Sequence, residues 1–320
     1  MFELIEERNY REVMEGVVEP ELSQIRREVK VPVEGGALNA EAYTVPGARR
    51  AVVVLHGYTE SAEKFHEMIW YFLHDGLNVY AYDHRGHGHS PRAVADTSIT
   101  HVDRFEDYLR DLEALMNTLV LPETKGMPVT LYAHSMGGAV GALALMEHPE
   151  WFSRAVLTAP MIAASTGGYP RFAGRAIAAL MCAVGKGKAR AFVGQPFDPA
   201  RETFENSVDT SRARFEYYRD KRVKNAHLQN CSPSYRWVSE SLAVTDRLLK
   251  PQNCAKITTP LLLCQAALDQ TVLLPEQAKF VSQVPGAQLR VFEQAKHEIY
   301  GSHDELMREY VPAVLEFLSE

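Results

Sequence analysis

The chain has 320 residues, enough to bury a substantial core in one large domain or two smaller ones. Hydrophobic residues make up 46% and charged residues 23%, a balance that fits a globular enzyme and argues against a disordered or fibrous chain. The formal charge of −7 is unevenly spread: residues 162–250 carry about 15 Lys and Arg against about 8 Asp and Glu, roughly +7, and the flanks hold the acidic excess. Met1 to Glu15 is acidic and lacks the basic start and apolar centre of a secretory signal. No run approaches the roughly 18 apolar residues of a membrane span. The four cysteines (Cys182, Cys231, Cys254, Cys264) show neither disulfide nor zinc spacing. A cytoplasmic protein is expected, without metal or cofactor.

In chain order, Glu28 to Val33 and Leu38 to Val45 read as an antiparallel hairpin turning at Glu34-Gly35-Gly36. Short β-branched runs then alternate with helical patterns, which predicts a mostly parallel, eight-stranded sheet with helices on both faces. The predicted strands are 51–55, 78–82, 128–133, 155–158, 260–265 and 288–292. The predicted helices are 61–74, 102–119, 136–146, 275–284 and 305–318. In the second of these helical patterns Phe105, Leu109, Leu112, Leu115 and Leu119 recur at helical spacing. Residues 162–250 break the alternation. They contain Gly167-Gly168, an apolar helical stretch near 177–184 and several aromatics, and read as a helical cap inserted into a core made of residues 1–161 and 251–320. The basic excess of that insertion has two readings, a solvated face or a surface that meets anionic groups.

Ser135 lies in Ala133-His134-Ser135-Met136-Gly137-Gly138, between a predicted strand and a predicted helix. A serine hydroxyl needs a base before it is a good nucleophile. A tight strand-to-helix turn would lift it clear of the sheet, with small residues two before and two after it letting the turn close. The amide of Met136 and that of Tyr58, in His56-Gly57-Tyr58-Thr59, are the expected oxyanion donors, and the Tyr58 ring is a candidate pocket wall. In the chain order serine, acid, histidine, Asp269 follows the 260–265 strand and His297 follows the 288–292 strand. His303, beside Asp304, reads instead as a helix cap, and Glu298 should point away from the His297 ring. Asp83-His84-Arg85-Gly86-His87-Gly88-His89 has the look of metal-ligand material, yet its glycines suggest a tight loop packed near the serine turn.

These motifs resemble the α/β-hydrolase fold and, more narrowly, the lysophospholipase L2 and monoacylglycerol lipase group. The resemblance rests on His56-Gly57, Asp83 to Ser90, His134 to Gly138, Asp269 and His297. Ser211-Arg212-Ala213-Arg214-Phe215 and Pro233-Ser234-Tyr235-Arg236-Trp237-Val238 look like cap segments of the lysophospholipase L2 type. Ala133 and Ala266 stand where glycines are common in the group. The resemblance implies a serine hydrolase of lipid acyl esters, a lysophospholipase first. Monoacylglycerol lipase, small-ester carboxylesterase, an N-terminal peptidase or a catalytically silent binding protein are the alternatives. The expected partner is a small lipid ester and not a nucleic acid, with peripheral contact between the cap and an anionic membrane surface as a further expectation.

Overall fold

The computed structural model describes residues 3–320 of the chain. The β-branched runs form strands buried on both faces: β3 (Arg50–Leu55), β4 (Leu77–Tyr82), β5 (Val129–His134), β6 (Arg154–Thr158) and β7 (Leu261–Ala266). With β1 (Arg26–Val33), β2 (Gly36–Tyr43) and the more exposed edge strand β8 (Gln288–Phe292), they make one eight-stranded sheet in the order β1-β2-β4-β3-β5-β6-β7-β8. Only β2 runs against the others, since it pairs antiparallel with both β1 and β4. The hairpin closes with Val33 opposite Gly36, and Gly35 takes a left-handed φ of 88° that a side chain would disfavour.

Helices cover both faces. α1 (His66–His74) and α8 (Asp304–Ser319) bury Phe72, Tyr310 and Val314 against one face. α2 (Glu106–Leu115), α3 (Ser135–Glu147) and α7 (Leu274–Gln283) bury Leu112, Leu143 and Phe280 against the other. The predicted helix at 102–119 starts later, at Glu106, and continues through a wider turn at Met116–Val120. The predicted helix at 61–74 opens with a 3₁₀ turn at Ala62–Phe65.

Between β6 and β7 the chain forms α4 (Arg171–Ala183), α5 (Arg212–Lys224) and α6 (Tyr235–Leu248). This segment is not a free-standing body. Trp237, Val244 and Leu248 of α6 join the main core cluster, and Ala164 forms a bridge to Val272. Its positive charge is largely answered by core carboxylates: Arg214 by Glu67 at 2.9 Å, Lys221 by Glu63 at 3.0 Å, Arg190 by Asp96 at 2.6 Å and Arg247 by Glu147 at 2.8 Å. The N-terminal residues, for which sequence patterns predicted no element, form a helical arm over 10–25 that straps α5 to the core. Its Glu19 accepts from Tyr217 at 3.0 Å, and the Ile5 carbonyl accepts from Arg214 at 2.7 Å.

Arg214 is the centre of this lock. Its side chain is 4% exposed, and it also donates to the Ser302 carbonyl and pairs with Asp304. Removing one partner of a buried ion pair leaves the other charge without compensation. Arg214→Ala is therefore expected to cost about 3–5 kcal/mol in urea unfolding, against less than about 1 kcal/mol for Arg175→Ala, whose pair with Asp246 lies at the surface.

Candidate active site

The site is built where β5 turns into α3. His134 is still extended, whereas Ser135 has φ 50°, a left-handed conformation rare outside glycine. Such strain persists only where the surroundings hold it. Here the following glycines allow the helix to start against its neighbours. A Cβ on Gly137 would lie 2.5 Å from the carbonyl oxygens of Leu55 and His56, and one on Gly138 would lie 2.6 Å from Pro160 Cβ. Ala133 is fully buried, and a Cβ on Gly141 would come within 3.3 Å of its methyl group, so only a small residue fits two before the serine.

The turn brings Ser135 Oγ to 2.8 Å from His297 Nε2, and His297 Nδ1 lies 2.6 Å from Asp269 Oδ2. Ser135 and His297 are each 5% exposed, and the Asp269 side chain is fully buried. Asp269 is itself held: its Oδ1 accepts from the amides of Thr271 at 2.7 Å and Val272 at 3.2 Å. Ala266 does not divert the acid loop, because Ala267 N donates to the Phe292 carbonyl and Leu268 N to that of Ala295. These bonds tie the Asp269 loop to the His297 loop. His303 caps α8, its Nδ1 accepting from Leu306 N, and Glu298 turns away to accept from Lys64 at 2.5 Å.

Tyr58 and Met136 flank the serine. Met136 sits in the first turn of α3, where its amide has no helical carbonyl to bond. The loop before Tyr58 abuts Ser135, since a Cβ on Gly57 would be 3.0 Å from Ser135 Cβ. The Tyr58 ring is held by the inserted segment: it packs on Trp237 of α6 with centroids 4.3 Å apart, and its hydroxyl is buried.

The Asp83 to His89 loop packs against this site as a tight structural turn. Asp83 accepts from the amides of Ala62 and His89, each at 2.9 Å, and leaves no room for a Cβ on Gly88. Burial holds His84 and His87 well below the usual imidazole range, aided by the neighbouring His56. Among the described residues no group of three His, Cys, Asp or Glu is arranged to hold a metal ion. Sequence reasoning assigned no separate part to His134, whose ring lies 4.9 Å from that of His297, and did not group Glu60, Lys64 and Glu298, which form a charged cluster beside it. The spacing of Glu60 and Lys64, four apart just after His56-Gly57, was the available signal.

A sheet of this order, with serine, acid and histidine at the ends of β5, β7 and β8, defines an α/β-hydrolase. Residues 46–304 match the family described as serine aminopeptidase, S33, and the chain belongs to that family. Lysophospholipase L2 of Escherichia coli (strain K12) is 31% identical over 286 residues, covering 84% of this chain and 80% of its own. A monoacylglycerol lipase of Mycolicibacterium smegmatis is 25% identical, with 80% and 84% covered. Among solved structures, a thermostable carboxyl esterase from Bacillus coagulans superposes with a TM-score of 0.74 at 18% identity, covering 92% of this chain and 98% of the other, a likeness of fold.

The glycine packing at the elbow gives a direct test. Gly137→Ala should destabilise the fold by about 1–3 kcal/mol in denaturant unfolding, because its methyl meets backbone oxygens that cannot yield. Gly16→Ala, with nothing within 4 Å, should leave stability within about 0.5 kcal/mol of the parent.

Proposed function

We propose that this protein hydrolyses the acyl ester of single-chain lipids, lysophospholipids first, by acyl transfer to Ser135. The observation that carries the reading is the continuous Ser135–His297–Asp269 hydrogen-bond chain on a strained elbow. His297 Nε2 takes the hydroxyl proton as Ser135 attacks the ester carbonyl, and Asp269 holds the ring's Nδ1–H and stabilises the imidazolium. The amides of Tyr58 and Met136 bind the oxyanion. His297 then gives its proton to the departing alcohol, and water releases the acid by the same route. Residues 162–250 act as a cap that encloses the acyl chain.

Lysophospholipid as substrate is supported by the Escherichia coli relative and by the resemblance of residues 211–215 and 233–238 to cap segments of that type. A monoacylglycerol is the second reading. It is favoured by the pairing of the cap's cations with carboxylates, which leaves few free for a phosphate. The protein is proposed to be cytoplasmic and to work at the inner leaflet. No helix among the described residues is long and apolar enough to cross a membrane. Surface contact is supported by α4 and the residues beside it, which expose Tyr169, Phe172, Leu180 and Val184, with the exposed Lys186 and Lys188 alongside.

Ser135→Ala should lower ester hydrolysis at least about 10⁴-fold and abolish fluorophosphonate labelling while the fold is retained; a labelled variant would contradict the assignment. Asp269→Asn should lower kcat about 10⁴-fold, as expected where the imidazole loses its tautomer control. Rates on lysophosphatidylcholine, lysophosphatidylethanolamine and monoacylglycerol, measured side by side, decide between the two substrate readings. Phe172→Asp with Leu180→Asp should reduce cosedimentation with anionic phosphatidylglycerol vesicles about tenfold or more, with p-nitrophenyl butyrate turnover unchanged.

A further inference from the structure

Glu60 is 4% exposed, and the catalytic scheme above gives it no part. Its carboxylate lies at the base of the His56-Gly57-Tyr58 loop. Oε2 accepts from the Gly57 amide at 2.5 Å, Oε1 accepts from the Tyr300 hydroxyl, and Lys64 Nζ stands 3.3 Å from Oε1. Burying a carboxylate is costly unless its oxygens are occupied and its charge is matched, and both conditions are met here. Burial pushes the carboxyl up, but Lys64, the Tyr300 hydroxyl and the Gly57 amide outweigh it and keep Glu60 ionised.

Two further features show what this anchor restrains. Thr59, between Tyr58 and Glu60, has φ 66°, a left-handed residue without the excuse of glycine. That kink folds the chain back so that a side chain three residues on reaches the Gly57 amide. The next peptide is held at its other end. His56 Nδ1 lies 2.8 Å from the Gly57 carbonyl, and His56 Nε2 lies 2.9 Å from the His84 amide. An amide N–H only donates and a carbonyl only accepts, so His56 is the neutral Nδ1–H tautomer and donates to Gly57 O. Peptide bonds here are trans, so the N–H of Tyr58 points opposite to the carbonyl that His56 holds.

We propose that Glu60 is a positioning residue: its carboxylate, neutralised by Lys64, fixes the Gly57 amide and thereby aims the Tyr58 N–H at the oxyanion. Lys64 is needed because an unmatched negative charge beside a developing oxyanion would oppose it. Lys64 is shared with Glu298, the neighbour of His297, at 2.5 Å, and it lies 5.0 Å from the centroid of the Tyr218 ring. One buried cation therefore serves both the oxyanion loop and the histidine loop. The inference rests on Ser135 being the nucleophile.

The test compares Glu60→Gln, whose amide oxygen still accepts from Gly57, with Glu60→Met, which is of similar length and has no comparable acceptor. Glu60→Met should lower kcat on p-nitrophenyl butyrate about 10- to 100-fold, below the roughly 100- to 1,000-fold loss of a whole oxyanion donor, with KM changed less than about threefold. The Ki of an alkyl trifluoromethyl ketone, which forms a tetrahedral oxyanion on the serine, should rise by the same factor as kcat/KM falls. Glu60→Gln should recover kcat to within about tenfold of the parent. If Glu60→Met does not fold, Glu60→Ala, whose space admits water to Tyr300 and Lys64, takes its place with the same expectations. A folded variant lacking the acceptor with parental kcat, a rise in KM alone, or a Gln variant as impaired as Met would overturn the proposal. Fluorophosphonate labelling keeps this separate from the nucleophile assignment. Glu60 variants should label Ser135 to completion but more slowly, whereas labelling of Ser135→Ala would defeat the underlying reading instead.

Discussion

The left-handed turn at Ser135 is the constraint around which the rest of the molecule is arranged. It survives because α3 begins pressed onto the ends of β3 and β6, with Gly137 against the carbonyls of Leu55 and His56 and Gly138 against Pro160. A side chain at either glycine would push the helix away and let Ser135 relax. The same closeness sets the His56-Gly57-Tyr58 loop beside Ser135, so serine and loop are positioned by one packing contact. The parallel strand order then delivers Asp269 from the end of β7 and His297 from the end of β8, with β6 lying between them and the serine turn.

Electrostatics organise the layer above. A basic insertion and an acidic core meet through Arg214–Glu67, Lys221–Glu63, Arg190–Asp96 and Arg247–Glu147. The buried Arg214 also gathers the Ile5 carbonyl and Asp304, so the N-terminal arm, α5 and α8 share one cation. The uneven charge along the chain is therefore in large part an internal complementarity. α4 leaves large apolar side chains outward, with Phe172 76% and Leu180 63% exposed, beside the surface cation of Arg175.

Much of this was legible in the order of residues. The five inner strands β3 to β7 were visible because β-branched runs buried on both faces leave an unbroken apolar signal, and the hairpin was marked by its Glu34-Gly35-Gly36 turn. Ser135, Asp269 and His297 were visible because each follows a predicted strand, and the structure brings all three within hydrogen-bonding reach. The N-terminal arm was not visible: its short apolar positions, Tyr10, Met14, Val18 and Leu22, pack onto partners remote in sequence rather than forming a strong periodic face. Nor were α5 and α6 placed, since α5 is mostly polar and is held by ion pairs, while α6 buries Trp237 under Tyr58.

The sequence by itself determined the alternation of strands and helices, the elbow with its small residues, and the chain order of the three polar groups. Those features are local, or follow from the fixed crossover geometry of parallel strands. Only the tertiary structure decided that Tyr58 packs on Trp237, that His134 stands beside His297, and that Glu60 and Lys64 lie behind the His56-Gly57-Tyr58 loop. Those relations depend on distances between residues far apart in the chain, which composition and spacing do not encode. Around Ser135, the strained turn that local sequence foretold became a site through contacts that only the folded chain could supply.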